Sequence, residues 1–264
     1  MFTILPTHFS VVPSKQNPYL NANVDWELAQ RQHAALMKAL GDPPTFVSDI
    51  NARDSVFVAN SGLSLPRLPP TFVLSRMKYA QRRLETPFVA SILSKMKLVQ
   101  FPGPDPFEGE GECCWFHGGR LLVVGYGHRC TRRSVQVLDD LLRRIYTAEG
   151  VTPPIVIGVK LISPFFYHLD IAMLPVSETE CLFNPAAFHD LDALREHIKL
   201  TPFKSDDHFA LNSVFFGKKL ITHKLDAKTR RQLEKYGKVV EVDTSEFEKA
   251  GGSVRCMVCH LFIR

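Results

Sequence analysis

Along this chain, short apolar runs that suit strands alternate with longer stripes that suit helices, and the order repeats. Residues 134–148 carry Val135, Val137, Leu138, Leu141, Leu142 and Ile145 at the spacing of one helical face. An earlier stripe, Leu28, Ala34, Leu36 and Leu40, predicts a helix capped by Asp25 and stopped by Gly41-Asp42-Pro43-Pro44. Further helices are predicted in the basic stretch 76–97 and over 191–198 and 227–236, the last ending at Gly237. Apolar runs bounded by turn formers predict strands at 2–5, 54–63, 71–74, 113–116, 120–125 and 155–161. More follow at 167–175, 180–183, 213–216, 219–222 and 239–242, with a final one around Cys256. His117-Gly118-Gly119 and the turn at Gly217 read as hairpin connections, and 13–23 as a Pro- and Asn-rich loop. Strand pair, helix, strand recurs about five times at a period near ~50 residues, which predicts repeated α/β units sharing one central site. No stretch is rich enough in Pro, Gly or Ser to be a linker, so residues 1–264 read as a single domain.

Composition changes this picture little. With 264 residues, 45% hydrophobic and 22% charged, the chain can build an ordinary core. The net charge of +5 is spread out, and the basic clusters at 76–83, 129–133 and 228–235 hold few stacking aromatics. They read as solvated faces, so no nucleic-acid partner is expected. Met1-Phe2-Thr3-Ile4-Leu5-Pro6 lacks a basic lead and a signal-length apolar run. The most apolar stretch, 155–176, is broken by Lys160, His168 and Asp170, so no membrane partner is expected either. Six cysteines without secretory features suggest reduced thiols and a cytoplasmic protein.

Candidate chemistry begins at the end of the chain. Gly251-Gly252 allows a sharp turn, and Cys256 lies just inside the apolar segment that follows. Alone, such a cysteine also reads as a small core residue. Cys256-x-x-Cys259-His260 matches a c-type haem string on paper, but neither an exported context nor an axial partner accompanies it. A thioredoxin-like turn is missing, and adjacent Cys113-Cys114 do not complete a zinc set. His168 and Asp170 interrupt an apolar run at period two, which on a strand places both on one face. Burying that carboxylate without partners would be costly. Glu108, Glu110 and Glu112, interleaved with Gly109 and Gly111, form either an exposed acidic turn or a pocket for a planar cation such as guanidinium.

Taken together, these segments resemble a family. The ending Val239-Val240-Glu241-Val242-Asp243-Thr244-Ser245-Glu246-Phe247, then Gly252-Ser253-Val254-Arg255-Cys256-Met257, resembles the terminus of dimethylarginine dimethylaminohydrolases of the arginine deiminase-like, guanidino-group-modifying superfamily. The likeness extends in order through Asp54-Ser55-Val56-Phe57, Arg82-Arg83, Gly125-Tyr126-Gly127-His128-Arg129 and His168, nearly the whole chain. It implies a five-bladed α/β propeller (the pentein fold) of pseudo-fivefold ββαβ repeats, with the site on the axis. It implies Cys256 as nucleophile, His168 as acid and base, and a carboxylate from the Glu-rich loop, Glu108 with Glu110 as the competing choice. It also implies Arg82 and Arg129 against a substrate carboxylate, with Asp54 engaging an amino group or supporting the loop; Phe57 and Asp170 are further substrate-binding candidates. No cofactor or metal is required by such chemistry. A thiolate attacks the guanidino carbon, and His168 protonates the leaving amine and then activates water on a thiouronium intermediate.

One segment departs from the family pattern. Where an acid usually follows the Phe57-like aromatic, this chain has Ala59-Asn60. That feature, with Asn17-Pro18, is more similar to the arginine dihydrolase and succinylarginine dihydrolase branches, which remove both guanidino nitrogens. Expected activities are therefore dimethylarginine hydrolysis to citrulline plus amine, or arginine hydrolysis to ornithine and ammonia. Transfer to an amine acceptor, a silent arginine-like binder and a homodimer stay open at this point.

Overall fold

The computed structural model describes residues 1–14, 17–20 and 23–263. Part of the predicted 13–23 loop and the last residue of the C-terminal segment lie outside the described residues. The chain opens with strand β1 (Thr3–Ile4), helix α1 (Trp26–Ala39) and strand β2 (Thr45–Phe46). Asp25 caps α1 as expected, its side chain accepting from the Leu28 amide at 2.9 Å. The buried face of α1 is rotated from the predicted stripe. Ala34 is exposed, whereas Gln32 and His33 are buried beside Leu36 and Met37. Polar partners explain the shift: Gln32 donates to Ser245 and accepts from the Glu246 amide, and His33 meets Thr3.

Four three-stranded sheets follow, each of one topology. The first has β3 (Gly62–Ser64) antiparallel to β4 (Thr71–Leu74), then α2 (Glu85–Ile92), then β5 (Lys97–Gln100) parallel to β4. In the next, β6 (Cys113–Phe116) and β7 (Leu121–Tyr126) form the predicted hairpin, and α3 (Arg132–Ala148) leads to parallel β8 (Ile155–Lys160). The third begins with α4 (Leu169–Ala172) leading into β9 (Met173–Pro175), paired with β10 (Glu180–Phe183), and continues through α5 (Asp192–Arg195) to β11 (Lys199–Pro202). The fourth comprises β12 (Val214–Phe216), β13 (Lys219–Thr222), α6 (Ala227–Leu233) and β14 (Lys238–Glu241). A last helical turn, α7 (Ser245–Glu248), precedes the C-terminal segment.

The fifth unit is made from both ends of the chain. Phe2 and Cys259 exchange backbone hydrogen bonds of 2.9 and 3.0 Å as an antiparallel bridge. The C-terminal segment thus supplies the first strand of the unit that β1, α1 and β2 complete. Five ββαβ units in this arrangement make the α/β propeller that the family resemblance implies, in agreement with the fivefold rhythm of the sequence.

Several boundaries differ for local reasons. The predicted strand 54–63 is a 3₁₀ turn (Val58–Ser61) running into β3. The basic helix 76–97 is instead a short turn (Ala80–Arg82) and α2. The predicted strand 167–175 holds α4 and only three strand residues. Cys256 lies in a turn over 254–257 rather than on a strand. All four segments lead into a unit's first strand or its helix, and buried polar contacts hold their irregular backbone there in place of ladder bonds.

Candidate active site

The functional side chains enter from one recurring place, the residues just before each unit's first strand. Asn60 precedes β3, Glu112 precedes β6, and Asp170 precedes β9. Asn212 precedes β12, and Cys256 precedes the bridge at Cys259. Pseudo-fivefold repetition therefore brings sequence-distant polar groups together, with the strands behind them as a rigid support.

Cys256 is buried, and Asn212 holds it from two sides. The Asn212 side chain donates to Cys256 Sγ at 3.2 Å, and its Oδ1 accepts from the Arg255 and Cys256 amides at 3.1 and 3.4 Å. The thiol points at Asp170 Oδ2, 3.3 Å away. Burial pushes the Cys256 thiol well above its usual pKa, and Asp170 adds to that. Burial likewise raises the Asp170 carboxyl, although Asp170 retains His168 and Arg255 as nearby opposing charges. At rest the sulfur is a thiol, and a cation placed against it would favour the thiolate.

His168 sits immediately before α4 with extended backbone, not on a strand. It nevertheless shares the site with Asp170, as the alternating pattern suggested for another reason. Its Nε2 lies 2.9 Å from Glu108 Oε2 and 3.7 Å from Glu112 Oε1. Burial lowers the His168 pKa, opposed by Glu108, so the ring is neutral near neutral pH. Burial alone would raise Glu108, but Arg129, His168 and Arg82 outweigh it and hold this carboxyl well below the usual range. The Lys78 amide donates to its other oxygen.

The three loop glutamates do not form one cation pocket; each goes its own way. Glu108 meets His168 and Arg129, the latter at 3.2 Å. Glu110 faces away, bonded to Arg255 at 2.9 Å and to the His260 amide at 3.0 Å. Glu112 has neither oxygen hydrogen-bonded, and burial beside Glu108 and Asp170 pushes it well above its ordinary value. Burial and the neighbouring carboxylates therefore favour its protonated form beside His168. His260, the apparent haem or metal residue of the terminal string, is tied to Glu110 instead.

A narrow pocket brings Cys256 and His168 together with Asn17, Asp54, Phe57, Asn60, Arg82 and Arg129. Arg82 is fully committed inside it. It forks onto Glu85 at 2.9 and 2.8 Å and donates to Asn60 Oδ1 at 3.0 Å. That bond fixes the Asn60 amide and leaves Nδ2 buried without an acceptor. Arg129 is clamped between the Tyr79 and Tyr167 rings, 4.7 Å from each centroid, with Glu108 on its edge. Asn17 donates to the Ala250 carbonyl at 2.9 Å and bonds the Tyr167 hydroxyl, so it braces the turn that delivers Cys256. Gly251 in that turn has φ +86°, where a Cβ would meet Asn17 and the Tyr167 hydroxyl at 2.6 Å. Asp170 does not line this pocket; it stands behind the thiol.

The profile of the eukaryotic N,N dimethylarginine dimethylhydrolase family matches residues 209–263, the stretch that carries Asn212 and Cys256. An uncharacterized protein of Caenorhabditis elegans, ZK1307.1, is 31% identical over 97% of this chain and 91% of its own length. The bifunctional arginine dihydrolase/ornithine cyclodeaminase ArgZ of a Synechocystis strain is 30% identical over 77% of this chain. This chain covers 28% of that longer enzyme's length. The product-bound N-terminal domain of ArgZ, a cyanobacterial arginine dihydrolase, superposes with a TM-score of 0.85 at 27% identity, over 97% of this chain and 94% of that one. The chain is dimethylarginine dimethylaminohydrolase/arginine dihydrolase-like.

Sequence reasoning named most of the residues that line this pocket, and Glu112 as one of the three loop glutamates, but passed over Asn212, Tyr79 and Tyr167. Asn212 had a signal in the letters. Asn60-Ser61-Gly62 and Asn212-Ser213-Val214 place the same Asn-Ser pair just before the first strand of two different units. Cys259 is separated from Cys256, buried with Phe2, Ile4 and Phe72 behind the bridge. The turn, rather than strand alternation, is what parts them.

Proposed function

We propose that this protein is a cysteine-dependent guanidino C–N hydrolase whose substrate is unmethylated arginine, carried through two hydrolytic rounds to ornithine. Asn60 carries the choice of substrate. A guanidinium only donates hydrogen bonds, so a buried Nδ2 donor held by Arg82 does nothing to grip it. A ureido oxygen accepts, and the same donor would retain citrulline for a second attack.

In this reading the guanidinium lies in the front pocket against the Cys256 thiol, with Asp170 behind the sulfur, and its charge favours the thiolate. Neutral His168 takes the thiol proton as the sulfur bonds to the guanidino carbon. The C–N bond then breaks, and the nitrogen leaves as ammonia with the proton from His168. Glu108 holds the imidazolium meanwhile. Water gives a proton to His168 and its oxygen to the thiouronium carbon, and the S–C bond breaks to release the ureido group. A second round on that group expels another ammonia and leaves a carbamate, which separates into ornithine and carbon dioxide. Arg129, held flat between two tyrosines, is the cation for the substrate carboxylate.

The second reading is hydrolysis of dimethylarginine to citrulline and dimethylamine, favoured by the family match across Asn212 and Cys256. Incubating the protein separately with arginine and dimethylarginine, then identifying ornithine, citrulline, ammonia and dimethylamine, separates the two. Citrulline as the sole end product from arginine rejects the two-round scheme. Full turnover by Cys256→Ser rejects the nucleophile.

A further inference from the structure

We infer that a second chamber behind Cys256 carries water in and the released nitrogen out, separately from the pocket through which the amino-acid substrate enters. This inference rests on the cysteine-hydrolase reading. The chamber has a volume of about 300 Å³ and shares no lining residue with the front pocket. One side chain stands between the two spaces. Asp170, 3% exposed, meets Cys256 Sγ through Oδ2 at 3.3 Å and lines the rear chamber.

Two residues that line the chamber each bury an unpaired polar atom beneath its wall. Asp170 Oδ1 is buried without a donor, and the indole N–H of Trp115 is buried without an acceptor. Unpaired buried polar groups are rare because each forfeits the hydrogen bond it had with water. A small molecule that donates to Asp170 satisfies the first, and one that accepts from Trp115 satisfies the second. Water does both, and ammonium or a small alkylammonium suits the carboxylate. Glu110 does not compete for a cation there, because Arg255 and His260 already neutralise it. The other walls are largely apolar, from Leu174, Leu211 and Val214, and the rim at Phe215, Leu261 and Phe262 reaches solvent.

The chemistry requires such a route. When sulfur is bonded to the guanidino carbon, the rest of the substrate still occupies the front pocket. One nitrogen must nevertheless leave, and one water must arrive before the S–C bond can break. Asp170 touches the reacting sulfur and is also part of the chamber's lining, so a small shift of this one side chain passes both molecules across.

Leu261→Trp and Phe215→Trp narrow the rim from two sides without touching the catalytic groups. With arginine, each is expected to lower kcat by about tenfold, a single decade of barrier, with KM not raised. Rapid-quench mass spectrometry should show more enzyme carrying the covalent adduct on Cys256. Phe262→Ala, which widens the rim, should retain wild-type turnover. In the unaltered protein, added methylammonium should inhibit noncompetitively against arginine, because it occupies a space the substrate does not. Wild-type kcat and adduct levels in folded rim variants, or strictly competitive inhibition by methylammonium, would overturn the rear passage. Those outcomes leave the cysteine chemistry standing if Cys256→Ala is inactive. Turnover by Cys256→Ala removes the underlying reading instead.

Discussion

Replacing Glu108 by glutamine tests the charge arrangement around His168 most directly. The substitution keeps shape and one acceptor but removes a fully buried negative charge. Glu108 Oε2 lies 2.9 Å from His168 Nε2. At an effective dielectric near 20, a unit pair at that separation interacts by at most about 6 kcal/mol. Arg129 shares the same oxygen at 3.2 Å, and roughly halving the interaction for that competition leaves about 3 kcal/mol, or about two pKa units. Burial already lowers the His168 pKa and Glu108 opposes it, so the variant drops it further. The imidazolium that protonates the departing nitrogen then becomes scarcer by about a hundredfold near neutral pH. The alkaline limb of the kcat profile should move down by about two pH units. The assay is kcat against pH for Glu108→Gln and Glu110→Gln, with NMR titration of His168 in each. Glu110 bonds Arg255 and His260 instead, so its variant should leave the limb in place. Turnover within threefold of wild type in Glu108→Gln, or an unmoved His168 pKa, refutes the reasoning.

Two further outcomes follow from particular contacts. His223 lies 2.9 Å from Asp207 and 3.0 Å from Glu248; burial lowers its pKa, but the two carboxylates outweigh that and raise it to about 9 from 6.5. A raised folded pKa gives stability that is fully present below pH 6.5 and lost as pH climbs through about 9, at most about 3 kcal/mol. Thermal melts of wild type and His223→Gln should therefore differ most below pH 6.5 and converge above pH 9; a constant gap contradicts the linkage. Gly111→Ala places a Cβ 2.2 Å from Asn60 Nδ2, which costs about 1–3 kcal/mol by overpacking. Calorimetry and product analysis should show a modest loss of stability with a larger loss of ornithine formation, and unchanged products would mean Asn60 is not where the ureido group is held.

Elements with a clear period were legible from the letters. The stripe of α3 is buried where its spacing placed it, through Val135, Leu138, Leu141, Leu142 and Ile145. The β6–β7 hairpin and the β12–β13 pair also matched closely, because alternation and turn residues agree there. The misses were concentrated just before first strands, at 58–61, 168–172 and 254–257, where apolar letters suggest strand continuation. There the backbone is held by tertiary partners such as Asn212, which no local pattern includes.

By itself, the sequence determined the fivefold α/β rhythm, the residue types of a cysteine site, and the unusual amide at Asn60. The rhythm follows from periodicity, a local property, and the other two follow from the resemblance of their segments to a known family. Only the tertiary structure decided which glutamate meets His168. Glu108, Glu110 and Glu112 differ by two positions each, yet a 3₁₀ turn sends them in separate directions. It also decided that Arg82 serves Glu85 and Asn60, that Asp170 stands behind the thiol, and that Asn212 aims it. Apart from the Arg82–Glu85 fork, those outcomes join residues that lie far apart in the chain, which no local pattern relates.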